Sequence, residues 1–250
     1  MHMLKIYVLP VLGCLGVLAT AHADPLTDLR ATLGSLQGRD AIHAEVNVKR
    51  SSKEADGTSP KAGANATVSV RADAQGLQLV FAPKLLVQAT QEAAAKAANP
   101  DLSAPINDVL EEATPTDIND LLGFAPSLLR KIDGATLKES RADTFDGKPA
   151  RLIVLDLPMR VSSKERDSLK HYVGSMKIWL DGDGMPLAAE RAQRYEGRKF
   201  LISFSTERHL STRFQHVGQR LVAVAQTRHD TFTGFGQDND TTVVSSVTVQ

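Results

Sequence analysis

The 250-residue chain has one cysteine, Cys14, and one tryptophan, and only 5% of its residues are aromatic. It has no surplus of either charge, since 29 Lys and Arg balance 29 Asp and Glu. A lone cysteine excludes a disulfide scaffold and a multi-thiolate zinc site. Zero net charge excludes a general nucleic-acid binder, which carries a basic excess. No G-x-S-x-G elbow is present, and no closely spaced histidine pair. Asp181-Gly182-Asp183-Gly184 opens like a calcium loop, but the twelfth position is Ala192 and not an acid. Gly234-Phe235-Gly236 is a lone GxG followed by Asp238 and Asp240, which would repel a phosphate. No catalytic residue, metal site or cofactor is therefore expected, and the chain reads as a non-enzyme. What remains, 42% hydrophobic and 23% charged, is the composition of an ordinary globular domain.

The N-terminus reads as an export signal. Lys5 gives a short basic segment, Ile6 to Ala19 an apolar one, and Ala21-His22-Ala23 a small-x-small cleavage pattern. The apolar run falls short of the ~20 residues that span a bilayer, so no stable transmembrane anchor is expected. Val11-Leu12-Gly13-Cys14 resembles a lipobox, but the apolar run continues past Cys14. Cleavage after Ala23 into a periplasm is the favoured reading, and lipidation at Cys14 the alternative. Loss of 1–23 would remove Lys5 and Cys14, leaving 28 basic and 29 acidic side chains and no cysteine. Thiol chemistry is then excluded, and stability must come from burial.

Periodicity organises residues 24–250 as one domain. Asp24-Pro25 caps a helix with Leu26, Leu29, Leu33 and Leu36 on one face. Ile42, Ala44, Val46 and Val48 alternate with polar residues, as in a strand wet on one face. Residues 51–64 read as a loop, and strands follow at 65–72 and 76–82. Over 84–132 the period changes to 3.6. Leu85, Leu86, Ala89, Ala93 and Ala97 form one stripe, and Ile106, Val109, Leu110 and Ala113 a second. Thr116 is the expected cap of a third helix. Pro126 should split the last helical stretch, with Gly123-Phe124-Ala125 between the pieces. Beyond residue 135 strands are predicted at 135–144, 149–157, 173–180, 187–195, 199–207, 211–217, 221–230 and 242–249. A short helix at 162–170 is capped by Ser162 and Glu165. About eleven antiparallel strands in an α+β chain should curl toward a half-barrel, with the helical insertion at 84–132 as a lid on its inner face.

This arrangement resembles the LolA/LolB-like periplasmic lipoprotein-carrier superfamily, and is similar to the amino-terminal domain of the RseB family. The resemblance is carried by the export signal, the helix before the first strand and the helical insertion after the third. It also rests on Met176-Lys-Ile-Trp-Leu-Asp-Gly-Asp-Gly-Met-Pro-Leu187 and Phe145-Asp-Gly-Lys-Pro-Ala-Arg-Leu152, which resemble successive strand–turn–strand units of that superfamily. It implies acyl chains of a lipid or an acylated protein held between sheet and lid. Aliphatic walls can do this, because each buried methylene contributes about 0.8 kcal/mol. The candidate ligand-binding residues are Leu85, Leu86, Leu121, Leu122, Phe124, Leu128, Leu129, Ile178, Phe200 and Phe204. The competing expectation is an envelope protein-interaction module with a filled core and a protein partner. Leucines at helical spacing fit an ordinary core equally well. Late arginines interleaved with acids (Arg191, Arg194, Arg208, Arg213, Arg228) read as cross-strand ion pairs on a wet face, with an anion-docking patch as the alternative. His209, His216 and His229 read as solvent-facing strand residues.

Overall fold

A computed structural model describes residues 24–36, 38, 40–53 and 60–250. The expected export signal and its cleavage site lie outside the described residues. The elements run α1 (Pro25–Ser35), β1 (Ile42–Lys53), β2 (Pro60–Asp73), β3 (Gly76–Phe81), α2 (Pro83–Ala98), α3 (Pro105–Leu110), α4 (Pro115–Leu122) and α5 (Phe124–Ile132). There follow β4 (Thr136–Phe145), β5 (Lys148–Asp156), α6 (Ser163–Arg166), β6 (Leu169–Leu180), β7 (Pro186–Lys199), β8 (Ile202–Val217), β9 (Arg220–Gly234) and β10 (Gln237–Val249).

The ten strands form one open antiparallel sheet in the order β3-β2-β1-β10-β9-β8-β7-β6-β5-β4. The α+β class stands, in keeping with a half-barrel, but the strand count is ten among the described residues. The expected strands 199–207 and 211–217 are one continuous β8. Its start was obscured because Glu196-Gly197 reads as a turn and is not one. Gly197 lies inside β7 opposite Phe204. A Cβ there would fall 2.4 Å from the Phe204 ring and 2.4 Å from the Ser168 carbonyl oxygen. The glycine admits a ring and a crossing backbone, as strand glycines often do. Gly197→Ala should cost about 1–3 kcal/mol in urea unfolding, and an unchanged midpoint would show that the ring and loop yield freely. The expected loop 51–64 is also shorter than predicted, because β1 runs to Lys53 and β2 starts at Pro60.

Topology decides where the helices go. β3 and β4 are opposite edges of the sheet, and the chain from 83 to 132 joins them. That segment crosses one face: α3 packs on β1 and β2, α4 and α5 on β9, and α1 on α5. Four of these helices open with proline at the first position, where no amide is needed. Thr114, not Thr116, caps α4, accepting from the Asp117 amide at 3.2 Å. Pro126 lies in the first turn of α5 and does not split it; the break falls at Gly123 alone. The stripe predicted for α2 is largely unburied. Only Ala89 is buried, and Ala93 and Ala97 are exposed. The helix is held instead through Glu92, whose Oε2 accepts from the Ile106 and Asn107 amides at 2.8 and 3.2 Å.

The core is one continuous cluster between sheet and helices. It joins Leu29 and Leu33 of α1, Val46 and Val48 of β1, Ile118, Leu122, Leu128 and Ile132 of α4 and α5, and Ile153 and Ile178 of β5 and β6. No helix among the described residues is long and apolar enough to cross a membrane.

Candidate functional site

Register sorts the sheet into rows that share a face. The row Ile153, Ile178, Ala189, Thr212, Gln226, Ser245, Val48 and Ala66 runs across seven strand pairings beneath the helices. All of it is buried except Gln226, which is half-buried. One step along the strands on the same face comes Leu155, Met176, Arg191, Leu210, Arg228, Val243 and Arg50. Next comes Gly174, Gln193, Arg208, Asp230 and Thr241, and then Tyr172, Tyr195, Thr206 and Phe232. Gly197, Phe204 and Gly234 complete the series. Arg191 to Gly197 is six residues of β7, roughly 20 Å at about 3.3 Å per residue. The covered face thus grades from apolar, through cationic, to aromatic.

The cationic row borders a cavity of about 190 Å³ under α4 and α5, lined by Leu121, Phe124, Lys131, Arg191, Arg208 and Arg228 with the acids Glu112, Asp117 and Asp120. Most of its charges are matched. Arg228 donates to both Glu112 oxygens at 2.7 and 2.8 Å, and Arg208 to Asp230 at 2.6 Å. Beside the cavity, Arg50 donates to Asp108 at 2.8 Å. Arg191 makes no ion pair among the described residues. Its Nε is buried without a hydrogen bond, as is that of Arg228, but Arg228 Nε lies 2.8 Å from Asp230. Burial and the neighbouring Arg208 press its pKa down. Lys131 faces the same space. Its Nζ donates to Ser127 Oγ and stands 4.6 Å over the Phe124 ring. Ser127 in turn donates to Asp120 at 2.8 Å. Burial, and after it the Arg191 charge, lowers the Lys131 pKa to about 8, against a weaker opposing pull from Asp120. Lys131 and Arg191, neither in an ion pair among the described residues, stand at one cavity wall with Asp117 and Asp120 across the same space. A bound carboxylate or phosphate between the two cations would complete their hydrogen bonding.

The aromatic rows border a second, larger cleft of about 520 Å³, lined by Val161, Leu169, Tyr195, Phe200, Phe204, Phe232 and Phe235. Tyr172 and Tyr195 pack at 4.9 Å between centroids, and Gln193 Nε2 donates to both phenol oxygens at 3.2 and 3.1 Å. Burial, with Tyr172 adding to it, raises the Tyr195 pKa.

The ten predicted site residues do not form one wall. Leu121, Leu122, Phe124, Leu128 and Ile178 are buried in the common core cluster, with Leu85 and Leu129 packed at its edge. Leu121 and Phe124 also reach the cationic cavity. Leu86 is exposed. Phe200 and Phe204 belong to the aromatic cleft, well along the sheet. The late arginines divide by face. Arg194 pairs with Glu196 and Glu207, and Arg213 with Asp146, on the outer side. Arg191, Arg208 and Arg228 share the helix-covered side. Sequence reasoning missed Lys131, although it falls seven residues after Phe124, where helical spacing places it on the buried face. His209 faces His229 across the outer side, and His229 Nε2 lies 2.7 Å from Asp240. No group of three or more possible metal ligands occurs among the described residues. Asp181 Oδ1 accepts from the Asp183 and Met185 amides, which closes a hairpin turn.

No protein-family model matches the chain, and no curated protein matches it. Among solved structures the chain is similar to a DUF1329 family protein from Desulfovibrio piger, at 10% identity over 90% of this chain and 93% of that one, with a TM-score of 0.32. It is also similar to MucB in complex with MucA(peri), at 10% identity over 89% and 93% of the two chains, with a TM-score of 0.19. Likenesses of that size assign neither a ligand nor a partner.

Proposed function

We propose that the protein is an exported, non-catalytic binding protein for an anionic, single-chain amphiphile. The carboxylate or phosphate head lies between Lys131 and Arg191, and the apolar tail runs along Tyr195 and Phe232 toward Phe204. The observation that carries this reading is the half-buried Arg191, its Nε buried without a hydrogen bond and its charge without an ion pair among the described residues, at a cavity wall it shares with Lys131. Unpaired buried cations are costly, and a bound anion removes that cost. The size of the cavity narrows the ligand. About 190 Å³ holds a head group, whereas pockets for drug-sized ligands run to several hundred Å³. The interior beneath α4 and α5 is occupied by side chains. Several acyl chains of a lipoprotein would have to displace them.

The test is uptake of a fatty acid and of a lysophospholipid by the purified full chain, read by native mass spectrometry and by displacement of a fluorescent probe. A one-to-one adduct is expected with at least one of the two, which also separates carboxylate from phosphate heads. Arg191→Met should weaken it about tenfold or more, the loss of one charge-assisted contact. Apo protein alone under both conditions would overturn the reading.

The filled core favours a second reading, an envelope protein-interaction module. It predicts a partner captured by crosslinking in the periplasm, and equal capture by the Arg191→Met variant.

A further inference from the structure

Phe200 and Leu201 are the most exposed large apolar side chains among the described residues, at 84% and 81%. They form the two-residue turn between β7 and β8, closed by the pair Lys199 and Ile202. Both take left-handed backbone, with φ of 50° and 70°. A two-residue turn of this hand favours Asn-Gly or Asp-Gly, because a Cβ is disfavoured there. The β4–β5 turn follows that rule with Asp146-Gly147, at φ of 50° and 75°. The β7–β8 turn puts two bulky apolar residues in the same geometry and leaves them in water. Its neighbour repeats the pattern. The β9–β10 turn is Phe235-Gly236, with Phe235 at φ 55°, exposed, and stacked at 6.1 Å on Phe204. Ile202 is exposed beside them. Local propensity and solvation both oppose these choices, so folding alone does not account for them.

The charges around the turns narrow what could cover them. Lys199 Nζ lies 5.7 Å from the Phe200 ring centroid. Arg198 donates through Nε to the Leu201 carbonyl at 3.0 Å, which fixes a guanidinium at the base of the turn. The nearby Glu196 is already paired with Arg194, and Glu165 caps α6 through Ser162. The feature is a protruding apolar tip, not a groove, with Arg198 and Lys199 at the base of the β7–β8 turn. The β9–β10 turn has the acid Asp238 behind it, so it contributes its Phe235 ring and no phosphate contact. Aromatic and aliphatic side chains that enter the acyl boundary, with Lys and Arg reaching back to phosphates, are the chemistry of a lipid interface.

We infer that the β7–β8 and β9–β10 turns dock this protein on a phospholipid bilayer, with Phe200, Leu201 and Phe235 inserted and Arg198 and Lys199 on the phosphate layer. The aromatic cleft that includes Phe200 and Phe235 then opens at the membrane surface. This inference does not depend on the anion cavity, which lies farther along the sheet.

The test is co-sedimentation of the full chain with vesicles of phosphatidylcholine, alone and with phosphatidylglycerol added. Binding is expected to both, and more strongly to the anionic vesicles at low salt. The decisive variant is Phe200→Asn with Leu201→Gly, which installs the preferred turn and should fold at least as well as the parent. It should bind vesicles at least tenfold more weakly with a melting temperature no lower than that of the parent. No sedimentation of the parent, or equal sedimentation of the turn variant, overturns the inference. So does concentration-dependent self-association, lost in the turn variant and unaffected by vesicles, since it would assign the tip to a second copy.

Discussion

Leu128→Ala is expected to destabilise the protein by about 3–5 kcal/mol, read as a shift in urea unfolding followed through the single tryptophan, Trp179. Leu128 is fully buried and belongs to the cluster that joins α4 and α5 to the sheet. Truncation there removes transfer energy and leaves a void, since the surrounding side chains come from rigid elements on both sides. Leu86→Ala is the control. Leu86 lies exposed on α2, so its loss should change stability by no more than about 0.5 kcal/mol. The contrast separates two roles that helical leucines can play. A leucine lining an empty ligand chamber would lose little stability on truncation and would change ligand affinity instead. A cost below about 1 kcal/mol at Leu128 would therefore reopen the interior as a chamber.

Lys131→Met is expected to stabilise the free protein by about 2–3 kcal/mol near pH 7 and to abolish anion binding. The folded pKa of Lys131 is lowered to about 8 from an ordinary 10.5 by burial first and by the Arg191 charge second. Below pH 8 both folded and unfolded states carry the proton, and the full penalty of a poorly solvated ammonium is present. Between about 8 and 10.5 the unfolded state holds more protons, so the stability of the parent rises with pH. Above that range the penalty is gone. Methionine matches the length of the lysine chain and has nothing to protonate, so its profile lacks this rise. A bound anion favours the charged amine, so ligand affinity in the parent should fall as pH passes about 8. A variant less stable than the parent at pH 7, or a parent without the rise, would show that Asp120 and Ser127 already satisfy the amine.

Much of the sheet was legible because most turns use the expected chemistry. Asp146-Gly147, Asp181 to Gly184 and Gly218-Gln219 mark three hairpins, and alternation in β1 marks its buried face without ambiguity. Two hairpins depart from the sequence reading. β9 and β10 run on to meet at Phe235-Gly236 instead of leaving 231–241 as a connection, and the β7–β8 hairpin breaks the turn rule outright. Phe200-Leu201 carries no turn signal, and the strand glycine three residues earlier supplied a false one. That error concealed the site. With the turn at 200 and 201, antiparallel pairing puts Arg191 opposite Leu210 and Gln193 opposite Arg208. Arg191 and Arg208 then share one face with Arg228. Without it, the arginines form an unsorted run of exposed charge. Lys131 escaped for a different reason. Lysine within an apolar stripe is ordinarily placed at its edge, and only tertiary packing brings Arg191 against it.

The pairing of β1 with β10 has a consequence for how the chain reaches this state. Ala44 lies opposite Val249, so the middle of the sheet joins segments about 200 residues apart. Until the C-terminal segment arrives, β1 to β3 have no neighbour on one side and β9 offers a bare flank. Closure of so distant a contact is entropically late, so folding should be slow, with unpaired strand edges exposed in the meantime. Such a chain spends its early life open to edge-to-edge association. A chaperone that shields β1 or β9 would therefore act on its yield far more than on its final stability.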